Sequence, residues 1–377
     1  MPFSRYMHIL TEVLWILLRN AGIQPSHPRK GVAEAEIYAC SSCGLCLDAC
    51  PMNVQKKNLK YSSVYFIRFL RRHNEKKIND IADKCLMCDK CHALCPVGVD
   101  APALRRAQRA TVNDSLCYDY SYLQNRVPAP EANDIVNVAA GVSDAPEVMY
   151  FAGCMTHLTP RIIKSVEKVF KAASVNYIFA DRACVICCGR PLMLAGKTSA
   201  ARETISANRK MILDSGCRTL VLSCPICYKI FKDEYNLKGI EVLHYTQYIK
   251  RLVEQGRLKL SSCDERELGR GCGVYEEPRN VLSQVGTLVP AAKEGDESIC
   301  CGGSLGSLTL DARDRAKITE SSLANLVANN PQTIVTACPL CLMTFSGPAL
   351  DTVSHKSGEE ATDVNVKDFA EVISQRV

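Results

Sequence analysis

The feature that most constrains this chain is a cysteine pattern written twice. Cys40, Cys43, Cys46 and Cys50-Pro51 form C-x2-C-x2-C-x3-C-P, and Cys85, Cys88, Cys91 and Cys95-Pro96 repeat it. Three thiolates in one tight loop can cap three corners of an iron–sulfur cube, and a fourth, carried past a proline, serves a neighbouring cube. The spacing therefore predicts two cubane [4Fe–4S] clusters, one on Cys40, Cys43, Cys46 and Cys95, the other on Cys85, Cys88, Cys91 and Cys50. The small residues Ser41, Ser42, Gly44 and Ala49 leave room for backbone N–H groups to approach sulfur. Zinc also uses C-x2-C pairs, but eight cysteines in this complete spacing favour iron–sulfur.

This is the pattern of bacterial two-cluster ferredoxins. The 34 residues between the two groups exceed a compact ferredoxin's spacer and predict a helical version of the domain, with helices near 61–73 and 103–112. An amphipathic helix is expected over 5–20. His92, between ligands, reads as a surface histidine.

With 22 cysteines in 377 residues, the chain is too long and too sparse for a disulfide scaffold, and its cysteines gather in metal-ligand groups. Thiols that stay reduced imply the cytoplasm, and exposed clusters an anaerobic cell. The longest apolar run near the start, Val13 to Leu18, is too short to span a membrane. The formal charge of +6 falls to about +2 once two dianionic thiolate-bound clusters are counted, which weakens any case for nucleic acid. Tyr61, Tyr65, Phe66 and Phe69 suit one helix face better than a base-stacking platform. Arg68, Arg71, Arg72, Lys76 and Lys77 read as a solvated face or a docking site for an acidic redox partner.

The chain changes character after residue 147. Strand candidates at Val148–Phe151, Tyr177–Phe179, Thr219–Leu222 and Thr333–Val335 alternate with helical patterns near 161–172, 199–214 and 311–328, which predicts α/β layering. TLVLSCPICYKIF at 219–231 parallels TIVTACPLCLMTF at 333–345. Each follows a vicinal pair, Cys187-Cys188-Gly189 or Cys300-Cys301-Gly302, at 36 and 37 positions respectively. Two such copies predict tandem, similarly folded units. The expected organisation is an α+β multidomain chain: a helical two-cluster ferredoxin-like domain (1–116), a linker (117–147), two tandem α/β domains (148–250 and 251–350) and a C-terminal tail (351–377).

The first unit offers five thiols: Cys154, Cys187, Cys188, Cys224 and Cys227. Side chains diverge from adjacent backbone positions, so a vicinal pair serves one cubane poorly and points to an unusual metal site. With CCG and CxxC twice over, LGRGCGVYEEPR at 268–279 and CCGG at 300–303, the chain resembles the heterodisulfide reductase family, its small ferredoxin-like subunit fused to the CCG catalytic subunit. It is also similar to iron–sulfur subunits of glycolate, lactate and glycerol-3-phosphate oxidoreductases.

The resemblance implies a noncubane [4Fe–4S] cluster on those five thiols, the candidate catalytic set. A second falls to Cys300, Cys301, Cys338 and Cys341 with Cys272, or alternatively Cys263, as fifth ligand. Arg266 stands where the family carries a cysteine, so the chain has one or two noncubane clusters. The implied function is to relay electrons between a flavoprotein or other redox subunit and CCG clusters that reduce a disulfide or another small acceptor. The alternative is a purely electron-conducting subunit of a flavin-dependent dehydrogenase complex. His157, three residues after Cys154, reads as a solvent-facing or supporting residue ahead of a proton donor to a bound thiolate. Cys117, Cys184 and Cys217 read as incidental thiols. Gly269, Gly271 and Gly273 do not form a nucleotide-binding loop.

Overall fold

The computed structural model describes residues 37–111, 146–184, 186–260, 274–294, 298–303, 310–350 and 364–377, with residues 13, 14, 17, 21 and 135–136. Most of the helix expected over 5–20 lies outside them. The chain divides into two compact units. One gathers Met1–Asp119 with Pro191–Thr198 and Asp296–Ile318; the other holds Tyr120–Arg190, Ser199–Gly295 and Thr319–Val377.

The first unit is helical among its described residues. Helices Ser63–Arg71, Glu75–Ala82 and Ala101–Thr111 bury one apolar face each, and Phe66, Ile67, Ile78, Ile81, Val97 and Leu104 meet in one core. Asn74 caps the second helix through Lys77 N–H, and Asp100 accepts from Ala103 N–H at the start of the third. The short helices Leu45–Ala49 and Pro51–Lys56 meet at Cys50, where Pro51 at the first helical position starts the new axis.

The second unit is built on two sheets. In the larger, the strand order is β1–β3–β2–β4–β5, with β1 Ile135–Val136, β2 Val148–Phe151, β3 Tyr177–Phe179, β4 Thr219–Leu222 and β5 Glu241–His244. β1 runs antiparallel to β3, and the other neighbours are parallel. β2 is fully buried, as expected of a parallel strand covered on both faces. β1 lies inside the segment expected to be linker, and pairs with β3 through Ile135–Ile178 and Val136–Tyr177.

The smaller sheet pairs β6 Thr333–Thr336 with β7 Asn365–Asp368 in parallel. It repeats the geometry of β4 and β5. Cys224 follows β4 and Cys338 follows β6, and each is the N-cap of a helix with proline at its start, Pro225–Asp233 or Pro339–Phe345. His244 ends β5 and Asp368 ends β7, and each forms a capping box on the next helix, Tyr245–Glu254 or Phe369–Ser374. The repeat therefore runs past the CPxC motif into the tail. One hydrophobic core joins both copies, from Tyr150, Phe170, Val221 and Tyr245 to Val335 and Phe369.

No helix among the described residues is long and apolar enough to cross a membrane.

Candidate iron–sulfur sites

In both cysteine loops of the first unit the backbone turns left-handed at the same two places. Ser42 and Gly44 take positive φ in the first loop, Met87 and Asp89 in the second, two and four residues after the leading cysteine. These turns wrap N–H groups around sulfur: Met87 N–H donates to Cys85 Sγ at 3.4 Å, and Val99 N–H to Cys95 Sγ at 3.4 Å. Ser42 N–H reaches the Cys40 thiol in the same way.

The two loops also share their cysteines. Cys40, Cys43, Cys46, Cys91 and Cys95 line one cavity, so the fourth cysteine of the second motif faces the leading three of the first. Cys91 is pushed well up by burial and by the neighbouring Cys85, Cys88 and Cys50 thiols. Burial likewise pushes Cys46 up to about 11 and raises Cys50. Grouped thiols that the protein alone resists ionising fit a metal centre, whose positive charge deprotonates coordinating sulfur.

Three arginines hold these loops by their carbonyls. Arg71 donates to Ile37 O at 2.8 Å and to Cys40 O, which turns it inward from the solvated face expected of it. Arg109 donates to Ala82 O at 2.9 Å, Leu194 O at 2.8 Å and Cys85 O at 3.1 Å. Arg105 donates to Ile81 O at 2.6 Å and Tyr61 O at 3.0 Å. His92 is half-buried, with Nδ1 3.3 Å from Val99 O.

The five thiols of the second unit assemble where topology favours a site. β2 is flanked by β3 and β4, so the chain reverses its winding direction there, and ligands in open α/β sheets sit beyond the carboxyl ends of strands at such a point. Cys154 follows β2, Cys187 and Cys188 follow β3, and Cys224 and Cys227 follow β4. Cys154 contacts Cys187, Cys187 contacts Cys188, Cys188 contacts Cys227 and Cys227 contacts Cys224.

Cys188 and Cys224 accept from neighbouring thiols and are held below the ordinary thiol range, Cys188 at about 6. Donation to them, with burial, raises Cys227. The set is also a cradle: Gly153 has φ 87°, and a Cβ there would lie 2.9 Å from Cys227 Sγ and 3.3 Å from Cys224 Cβ. This donor set fits a thiolate-bound metal centre. Among the described residues no three His, Cys, Asp or Glu side chains are already set around one metal-ion position.

Sequence reasoning missed the groups that hold this set. The Asp181 carboxylate accepts from Ala152 N–H at 2.8 Å and Gly153 N–H at 2.7 Å, fixing the turn before Cys154. Asn208 donates to Cys187 O at 2.8 Å, and Tyr235 donates to Cys188 O at 2.9 Å, fixing the vicinal pair. All three are buried. A spacing motif carries no sign of them, since Asn208 and Tyr235 bond across 21 and 47 residues.

His157 Nε2 lies 3.3 Å from Asp181 Oδ2, and the ring stacks on Phe179. Cys184 sits in the turn after Asp181 with positive φ. Cys217 precedes β4, at the opposite end of the sheet, with Sγ 3.9 Å from Pro146 O. Cys117 lies outside the described residues.

The second set divides between the units, Cys300 and Cys301 in the first, Cys338 and Cys341 in the second. Gly302 has φ 83°, matching 81° at Gly189. Cys300 is raised by Cys301, by burial and by the Cys88 thiol, and it packs with Cys50 and Cys88 around Met52 and Leu86. Cys263, Cys272, Arg266 and the glycines at 269–273 lie outside the described residues.

Comparison with known proteins matches three regions of the chain, the last of which spans residues that the two compact units share out. Residues 36–99 match the 4Fe-4S dicluster domain, and residues 148–232 and 261–346 each match the cysteine-rich CCG domain. An EtfAB:quinone oxidoreductase of Syntrophomonas wolfei is 29% identical over 64% of this chain and 36% of its own length. One subunit of the fumarate reductase (CoM/CoB) of Methanothermobacter marburgensis is 22% identical, over 87% of this chain and 71% of that one. One subunit of the dihydromethanophenazine:CoB–CoM heterodisulfide reductase of Methanosarcina barkeri is 22% identical, over 90% and 94%. The chain thus spans about a third of the first relative and most of the other two. The helical cysteine-rich region is a domain for two iron–sulfur clusters, and an α/β CCG region follows it.

Proposed function

We propose that this chain, a heterodisulfide-reductase-like iron–sulfur protein in which a dicluster domain is fused to two CCG domains, relays electrons between a flavoprotein partner and its CCG sites, where a disulfide or another small acceptor is reduced. The observation that carries this reading is the connected set Cys154, Cys187, Cys188, Cys227 and Cys224 at the switch point of the sheet. Five thiols exceed what one cubane needs and suit an open cluster. Such a group, when bound, supplies one electron at a time and an iron face for substrate sulfur.

Cys40, Cys43, Cys46 and Cys95 would hold one cubane, supported by their shared cavity. Cys85, Cys88, Cys91 and Cys50 would hold the other, supported by their mutual proximity. Asp181, Asn208 and Tyr235 hold the CCG turn in place. His157, three residues after Cys154 in the same short helix, would be the proton donor to a departing thiolate.

Arg266 favours a second reading, in which the chain only conducts electrons and its partner does the chemistry. Anaerobically purified full-length protein, assayed for iron, sulfide and EPR, separates the two. The catalytic reading expects roughly twelve or more irons per chain and oxidation of the pre-reduced protein by a small disulfide, lost in Cys187→Ser. Pre-reduced protein that stays reduced under disulfide, while passing electrons to its partner, leaves the conducting role.

A further inference from the structure

Arg105 is a buried cation with no matching anion among the described residues. Its side chain is 1% exposed. Its guanidinium donates to the carbonyls of Ile81, Tyr61 and Ser62, at 2.6, 3.0 and 3.4 Å, and lies over the Phe66 ring, 4.3 Å from its centroid. The Nε has no hydrogen-bond partner. Among the described residues no carboxylate lies within ion-pairing distance of it. Carbonyl dipoles solvate a guanidinium but do not neutralise it, and a buried charge of this kind is retained only where an opposite charge balances it.

Thiols of both proposed centres border this core, Cys40 and Cys95 of one and Cys91 of the other. Tyr61, whose carbonyl Arg105 holds, also packs with Cys50 and Cys88, which tips the balance toward the centre of Cys50, Cys85, Cys88 and Cys91. Four thiolates around a [4Fe–4S] core leave a net negative charge, and reduction adds another. The first cubane has a weaker counterpart. Arg71 lies beside Cys40 but is only half-buried, so solvent and salt screen it.

We propose that Arg105 is the buried counter-charge of the centre held by Cys50, Cys85, Cys88 and Cys91, and that it makes this centre the first of the two cubanes to accept an electron. The electron comes from the reduced flavoprotein partner, and no bond is made or broken. Arg105 is a positioning and tuning residue, and the inference rests on the ligand sets assigned above.

The test is an anaerobic potentiometric titration of the full holoprotein followed by EPR, with Cys46→Ser and Cys88→Ser identifying which signal belongs to which centre. The first electron is expected in the signal that Cys88→Ser alters. Arg105→Met, which keeps an apolar stem, is expected to make reduction of that centre on the order of tenfold less favourable, a shift of ~59 mV for one electron. The shift should persist in added salt, because the charge is buried. Arg105→Lys, which keeps the charge, is expected to restore most of it.

A first electron in the Cys46→Ser signal overturns the proposal, whether or not the Arg105 variants fold. So does an Arg105→Met potential within twofold of wild type, or Arg105→Lys shifting as far as Arg105→Met. Iron lost from this centre in Arg105→Met but kept in Arg105→Lys supports it. If neither serine variant alters any signal, the ligand assignment itself has failed, a separate and recognisable result.

Discussion

The Tyr245 hydroxyl donates to both carboxylate oxygens of Asp368, at 2.9 and 3.0 Å, across 123 residues. Tyr245 begins the helix after β5, and Asp368 caps the equivalent helix after β7. The two copies of the repeat are thus joined where, in each, a strand hands over to a helix. His244, the counterpart of Asp368 in the first copy, is also buried, with Nδ1 2.9 Å from Thr246 Oγ1.

These two cap residues should make opposite contributions to stability as pH changes. Burial pushes Asp368 up to about 7 and His244 down to about 3, from ordinary values of 3.8 and 6.5. Between pH ~4 and ~7 the folded chain keeps the Asp368 proton that the unfolded chain has lost, so this contribution falls as pH rises. Between pH ~3 and ~6.5 the unfolded chain binds a proton at His244 that the folded chain does not, so that contribution rises. The two largely cancel in the wild type. Asp368→Asn, which keeps a capping side chain, should unmask the histidine, its stability climbing from pH 4 to 6.5 by on the order of a few kcal/mol relative to wild type. Denaturant unfolding of the anaerobic protein across this range measures it, and parallel curves for the two proteins would refute it.

Gly153 is the tightest point in the first CCG site. Any other residue there meets both a φ of 87° and the Cys227 sulfur at 2.9 Å. Gly153→Ala is expected to cost about 1–3 kcal/mol in backbone strain and to empty this site of iron, while the dicluster EPR signals persist. Full iron at the CCG site in Gly153→Ala would show that the cradle is looser than its geometry implies.

The iron chemistry was legible because ligand spacing is local. Eight cysteines within 56 positions mark a two-cluster domain, and a repeated CPxC marks the tandem copies. The strands of β2, β3, β4 and β6 were equally plain, being short apolar runs. β7 was hidden because Asn-Val-Lys-Asp is polar and becomes a strand only by pairing with β6. β1 was hidden in a Pro- and Asn-rich segment and exists through two pairings with β3. The supporting groups were hidden for a different reason. Arg71 and Arg105 sit on helices where arginine normally faces water, and their carbonyl partners come from elements 24 to 44 residues away.

Tyr235 and Asn208 should act as one unit. Tyr235 donates to Cys188 O, and Asn208 bonds both Cys187 O and the Tyr235 hydroxyl at 2.9 Å. Tyr235→Phe leaves a buried carbonyl and an amide short of a partner, a cost of about 1–3 kcal/mol. The double variant with Asn208→Leu should cost less than the sum of the two single variants, because they share one network. Thermal unfolding of the four anaerobic proteins gives the coupling, and strict additivity would break the unit apart.

Asp181→Asn tests how the turn before Cys154 is held. The carboxylate accepts two N–H bonds, one on each oxygen, and an amide can accept only on its oxygen, leaving its NH2 facing a donor. A lost charge-assisted bond costs about 1.5–3 kcal/mol, concentrated at Gly153 and therefore at Cys154. Asp181→Asn should keep dicluster iron and lose much of the CCG iron under a mild chelator. CCG iron in Asp181→Asn that resists the chelator as well as wild type would show that other contacts hold the turn before Cys154.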